Sequence, residues 1–339
     1  MHQKKIIITD THFGKKNNSI QFFKSQESVL KELVNYIYRL PKGDEFDIIH
    51  LGDVFDSRST LSVNILHEAT HILQQLYMAM KAVNSSNRFI FVAGNHDFYS
   101  PNSDDICSLT VFVNKILPGA VIVDKTVWKD GKDLYVPWYV WNEHLDDIDF
   151  SGVNRVFTHT DLYQFKDDVR IPKNTLVYSG HIHQLKEYCG SRLVNLSPPY
   201  SLDFGDANDN KKGWWEIGEQ DQLTLHQNKT SIKFRRLTNE EIFDIPDYEE
   251  SIERGDNYNI LIDSENQIKK EYIDRINEMR ESFRYINVLP VVTSSCSDDC
   301  SVCINDINVN DILRNRVPDE LKSRFDTLVS ELVNQEMKE

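Results

Sequence analysis

FIFVAGNHDFYS, residues 89–100, opens as an apolar run and turns polar at Gly94. Phe89 to Ala93 read as a short buried strand. Gly94 and Asn95 tolerate the positive φ and local side-chain bonds of a tight turn. Taken singly, such a turn accounts for Asn95, His96 and Asp97. The pattern recurs, however. IIIT (6–9) runs into Asp10-Thr11-His12, and DIIHL (47–51) runs into Gly52-Asp53-Val54-Phe55-Asp56. RVFTH (155–159) ends on His159, and LVYSG (176–180) runs into His181-Ile182-His183. Between the first three strands lie two stretches of helical period: Val29, Leu30, Leu33, Val34 and Ile37, then Ile65, Leu66, Ala69, Ile72, Leu73 and Leu76. Strand–helix–strand order implies parallel pairing and an α/β layer architecture. In open α/β sheets, ligands bind beyond the carboxyl ends of the strands, so the five polar clusters are expected to converge there.

The residue types in these clusters define a chemistry. Asp10, His12, Asp53, Asn95, His159, His181 and His183 offer four imidazoles, two carboxylates and an amide oxygen. That mixed N/O set suits manganese, iron or zinc, and the lack of thiolates argues against a structural zinc. Seven side chains are too many for one ion and fit two divalent ions if one carboxylate bridges; Asp53, from the second parallel strand, is the expected bridge. Two such ions favour in-line displacement at phosphorus. A lone strand-end histidine more often serves only as a hydrogen-bonding group, and the sequence GD-x-x-D alone is weak. It is the full ordered set that carries the reading.

The 339 residues carry a net charge of −15. A chain this acidic has no overall attraction for nucleic acid, so DNA binding would need local positive charge, metal ions or a partner. Lys15 and Arg58, beside two of the motifs, are candidates for that local charge. No apolar run reaches eighteen residues and no signal peptide is legible, so no membrane contact and a cytoplasmic location are expected. The five cysteines, Cys107, Cys189, Cys296, Cys300 and Cys303, are odd in number and unevenly spread, which fits a reducing compartment. The last three have the spacing of an iron–sulfur site but lie in a polar stretch with no barrel before it, and are read as incidental.

DTH, GDVFD, GNHD, TH and GHIH together resemble the five signatures of the calcineurin-like metallophosphoesterases. Within that superfamily, DTHFG, GDVFDSR and SGHIH followed by a GWWEI strand are similar to the SbcD-type nuclease subunit of bacterial double-strand-break repair. By length and by the GDANDNKKGWW stretch, the chain looks nearest to the recombination endonuclease subunit of tailed phages. The likeness covers residues 4 to about 236. It implies a four-layer α/β/β/α sandwich and a manganese-dependent DNA exonuclease and endonuclease, located in the bacterial host cytoplasm if phage-encoded. It further implies one metal on Asp10, His12, Asp53 and His183 and a second on Asp53, Asn95, His159 and His181. His96 would not be a ligand but would stabilise or protonate the leaving oxygen. Asp56 resembles the carboxylate that pairs with this histidine in phosphatases of the superfamily. Water is the expected nucleophile, because no Ser, Cys or Thr sits suitably in a motif.

The domain reading is a nuclease domain over 1–238, a small α/β capping domain over 239–292, a polar linker over 293–310 and a helical segment over 311–339. In that last segment Leu321, Phe325, Leu328, Val329 and Leu332 form one stripe. The resemblance implies that this tail grips the coiled-coil base of an SbcC-like ATPase, within a heterotetramer built on a homodimer of this chain. A small-molecule phosphatase or phosphodiesterase is the rival enzyme reading. A scaffold on a decayed fold is the non-enzyme rival, and it predicts missing ligands, whereas every position is filled.

Overall fold

The computed structural model describes residues 4–100, 102–263, 270–283 and 285–291. The tail, the linker and Cys296, Cys300 and Cys303 lie outside these residues. Two six-stranded sheets form the centre. The first places Lys4–Ile8, Phe46–His50, Arg88–Val92 and Val121–Val123 side by side in parallel. Gly213–Ile217 and Leu223–Gln227 extend it antiparallel beyond Lys4–Ile8. The second has Asp133–Tyr135, Arg155–His159, Leu176–Gly180 and Leu193–Asn195 in parallel, with Trp128–Asp130 and Lys186–Tyr188 as antiparallel edges.

The parallel strands are apolar on both faces because both are covered. Ile7, Ile49, Ile90 and Val92 of the first sheet meet Tyr135, Phe157, Tyr178 and Val194 of the second in one inner core. Outside the first sheet pack the helices Ile20–Tyr38 and Val63–Val83, through the stripes that include Leu30, Leu33, Ile37, Ile72, Leu73 and Leu76. Each helix begins at a serine whose Oγ accepts from a backbone N–H three residues on, Ser19 from Phe22 and Ser62 from Ile65. Outside the second sheet, Leu134, Val156, Val177 and Leu193 pack with Trp141 of the short helix Trp138–Glu143 and with Leu162. The order is thus α/β/β/α, as the resemblance implied.

A third sheet holds Phe234–Thr238, Asn257–Asp263 and Ile286–Val291 in parallel, with the helices Tyr248–Arg254 and Lys270–Ser282. Phe234–Thr238, assigned with the larger domain from sequence, is one of the two edge strands of this sheet. No described helix is long and apolar enough to cross a membrane.

At the amino ends of the strands lies a buried ionic cluster. Lys5, wholly buried, places Nζ 2.6 Å from Asp47 and 3.0 Å from Asp133, so it joins the two sheets. Arg88 donates twice to Asp47, at 2.9 and 2.8 Å, and Arg155 twice to Asp133, at 2.7 and 2.9 Å. Burial alone would raise the Asp47 carboxyl, but Arg88 and Lys5 hold it below the usual range.

Candidate metal centre

At the opposite, carboxyl ends of the same strands the predicted residues meet. Asp10 and His12 follow Lys4–Ile8, Asp53 follows Phe46–His50, Asn95 and His96 follow Arg88–Val92, His159 closes its strand, and His181 and His183 follow Leu176–Gly180. The turns that deliver them are unusual: Asp10, His12, Asp53 and His181 have φ of 51°, 42°, 56° and 76°. Non-glycine residues in that region cost of order 1–3 kcal/mol each and persist where the surroundings hold them. Gly52, with φ 82°, is needed for a second reason. A Cβ there would stand 2.6 Å from both Gly94 Cα and His159 Nδ1.

Two groups of donors share Asp53. His12 Nε2 lies 3.8 Å from Asp10 Oδ1 and 3.5 Å from Asp53 Oδ2, and His183 Nε2 lies 3.6 Å from Asp10 Oδ1. On the other side, His159 Nε2 is 3.3 Å from Asp53 Oδ2 and 3.1 Å from Asn95 Oδ1, which is 2.9 Å from His181 Nδ1. His159 Nδ1 donates to the Leu51 carbonyl at 2.6 Å, which turns the Nε2 lone pair toward Asp53. The backbone N–H of His96 donates to Asp53 Oδ1 at 2.8 Å and fixes that carboxylate.

Burial and the two carboxylates act on the imidazoles in opposite directions. Burial pushes His183 down to about 3 and His181 to about 4, with the neighbouring His12 and His159 adding to it, so both rings are neutral. Burial would lower His159 too, but Asp53 and Asp10 raise it to about 9. Burial raises the Asp10 carboxyl despite the pull of His159. For Asp53 the same burial is outweighed by His159 and His12, which hold it well below the carboxylate range. The residues fit divalent cations on a direct observation: His12 is 1% exposed, yet its Nε2 makes no hydrogen bond. A buried ring nitrogen without a partner, facing two carboxylates, is what a cation ligand requires. Donors about 2.1 Å from one ion also stand about 3 Å or more apart, close to the spacings here.

Three residues behave differently from the sequence expectation or escaped it. Asp56 does not reach His96 through its carboxylate. Its backbone carbonyl accepts from His96 Nδ1 at 2.6 Å, while its carboxylate lies 3.2 Å from both His12 Nδ1 and Lys15 Nζ. The turn after Phe55 sets this geometry, because it aims the carbonyl at the GNHD loop and the side chain at the DTH loop. Asp97, noticed only as a turn residue, is 1% exposed and accepts from the N–H groups of Asp53, Gly94 and Val54 at 2.8, 2.9 and 3.1 Å. Burial and the neighbouring Asp53 push its carboxyl up to about 7, against the pull of the Gly94 and Asp53 N–H groups. The available signal was a carboxylate in a turn flanked by apolar residues. His50 received no role; it is fully buried, with Nε2 3.0 Å from Thr11 Oγ1 and its ring stacked on Phe91. Arg58 donates to the Phe98 carbonyl at 3.1 Å.

The model of the family described as calcineurin-like phosphoesterase matches residues 4–216. No curated protein sequence matches this chain. One solved structure aligns over 68% of this chain and 100% of its own, at 11% identity and a TM-score of 0.35, which is too loose to carry anything further. The family match spans both six-stranded sheets up to Gly213–Ile217 and every strand end that bears a predicted donor, so the chain belongs to the calcineurin-like phosphoesterases, the metal-dependent phosphoester hydrolases.

Proposed function

We propose that the chain is a manganese-dependent DNA nuclease, the cutting subunit of an SbcCD-like recombination and repair complex. The observation that supports it is the donor geometry: Asp53 Oδ2 lies between His12 Nε2 at 3.5 Å and His159 Nε2 at 3.3 Å, with the His96 ring edge-on to His12. Asp10, His12, Asp53 and His183 would hold one divalent cation, and Asp53, Asn95, His159 and His181 the other. Such cations supply Lewis-acid charge at phosphorus and lower the pKa of water.

The chain's own residues do the rest. Leu51 and Asp56 orient the rings of His159 and His96 through their carbonyls, each accepting a hydrogen bond from Nδ1. For His96 this leaves Nε2 facing the reaction, and the ring delivers a proton to the departing oxygen from Nε2 when both nitrogens are protonated, returning to the neutral Nδ1–H form. Asp56 orients His12 from behind, and Asp97 keeps the Asp53 turn against the Gly94 turn. Lys15 provides positive charge at the rim, which a phosphodiester strand needs on a chain of net charge −15.

In this reading residues 239–292 cap the centre, the linker 293–310 tethers the helical segment 311–339, and that segment docks an SbcC-like ATPase that holds the duplex. A homodimer of this chain at the core of the complex is part of the same proposal. The test is digestion of defined duplex and single-stranded DNA with manganese, beside a small phosphodiester. Cleavage of DNA that stops in chelator is the expected result. Hydrolysis of the small ester with DNA untouched would instead favour a small-molecule phosphodiesterase.

A further inference from the structure

Between the helix Ile20–Tyr38 and the third sheet opens a cleft of about 600 Å³. Phe22, Phe204, Phe234 and Tyr285 are among its lining residues, and Lys16 stands over the Phe234 ring at 5.0 Å. Phe204 packs edge-on against Phe234, centroids 5.1 Å apart, and inclined to Tyr285 at 5.6 Å. Phe22 and Phe234 are buried and tie the sheet to the helix Ile20–Tyr38, whereas Tyr285, 46% exposed, lines the cleft. A packing cluster alone accounts for the first two rings but not for an open cavity walled by an exposed tyrosine and a lysine.

Two pairs of chain neighbours link the cleft to the centre. Lys15 Nζ lies 3.2 Å from Asp56 and 4.0 Å from Asp203, the residues next along the chain are Lys16 and Phe204, and both line the cleft. The chain makes this join at a cost: Lys16, Asn17 and Asn18 are left-handed in succession, with φ of 56°, 55° and 58°. Arg236 brings a third cation to the Phe204 backbone, donating to its carbonyl at 3.4 Å. Cationic groups tracking from a phosphodiester centre into an aromatic-walled slot are the arrangement that holds unpaired nucleic acid, in which lysines follow the backbone and rings stack the bases.

We propose that this cleft is a stacking subsite for one unpaired base of the strand being cut, so that the enzyme engages frayed or single-stranded DNA rather than intact duplex. The proposal rests on the nuclease reading above and adds where the strand runs. Tyr285 is then a positioning residue, and Lys16 neutralises the adjoining phosphate.

The test uses the full chain with calcium in place of manganese and single-stranded oligonucleotides that carry 2-aminopurine at successive positions. At one position fluorescence is quenched on binding, and an abasic site there weakens binding by about tenfold. Tyr285→Ala loses the quenching and binds normal and abasic strands alike, Tyr285→Phe restores both, and Lys16→Ala weakens binding of both strands. Quenching and abasic sensitivity that survive in Tyr285→Ala overturn the subsite and leave the nuclease reading standing. A wild-type protein that neither binds nor cuts any oligonucleotide overturns the nuclease reading itself.

Discussion

His96 is anchored through Nδ1 to the Asp56 carbonyl, and its ring sits edge-on to His12 with centroids 4.9 Å apart. Its ring joins His12 and Asp56 in a further group of possible donors but adds no side-chain atom to those around Asp53. His96→Ala is therefore expected to retain full manganese stoichiometry by calorimetry while turnover falls by about 10²–10⁴-fold, the range for loss of a positioned proton donor. Loss of a bound equivalent in that variant would make it a ligand. The residue types were readable in the sequence because each donor stands just after an apolar strand. Their hydrogen-bond partners were not, because Leu51 and Asp56 act through backbone carbonyls, which any residue carries. Lys5 and Asp47 were passed over for a different reason: a charge inside an apolar run looks like the solvent-facing residue of a strand until the second sheet covers it.

Asp97 belongs to the scale of elements, since it binds two strand-end turns to one another. Three buried N–H groups, from Asp53, Val54 and Gly94, converge on its two oxygens. Asp97→Ala would leave all three without a partner, and an unmet buried donor costs about 1–3 kcal/mol. A loss of about 3 kcal/mol in denaturant unfolding is expected, together with weaker manganese binding as Asp53 loosens. Unchanged affinity in a folded Asp97→Ala would show that the Asp53 turn holds itself. The long elements were legible, because the helices Ile20–Tyr38 and Val63–Val83 and the central strands obey clean periods. The short ones, such as Trp128–Asp130, Asp133–Tyr135 and Lys186–Tyr188, were not. Three-residue edge strands rich in charge have too little apolar pattern to stand out from loops.

For the molecule as a whole, the Lys5 ammonium matters most. It bridges Asp47 of one sheet and Asp133 of the other, with all three side chains wholly buried. Removing one partner from such a group leaves an uncompensated charge, at about 3–5 kcal/mol. Asp133→Ala is expected to lower unfolding free energy by that amount and to leave the chemistry of the distant strand ends intact where the protein is folded. A change below about 1 kcal/mol would mean that water or repacking satisfies Lys5 and Arg155. That the chain forms two sheets rather than one was not readable from its periods; it came only with the family resemblance. Parallel strands buried on both faces look alike whichever sheet they join.

The strand ends that meet in space are far apart in time during synthesis. Asp10 and Asp53 lie early in the chain, and His183 follows Asp53 by 130 residues. At about 5–20 residues per second, a ribosome leaves the two carboxylates without their later imidazoles for roughly 6–26 s. A nascent chain therefore cannot assemble either donor group until the second sheet has emerged.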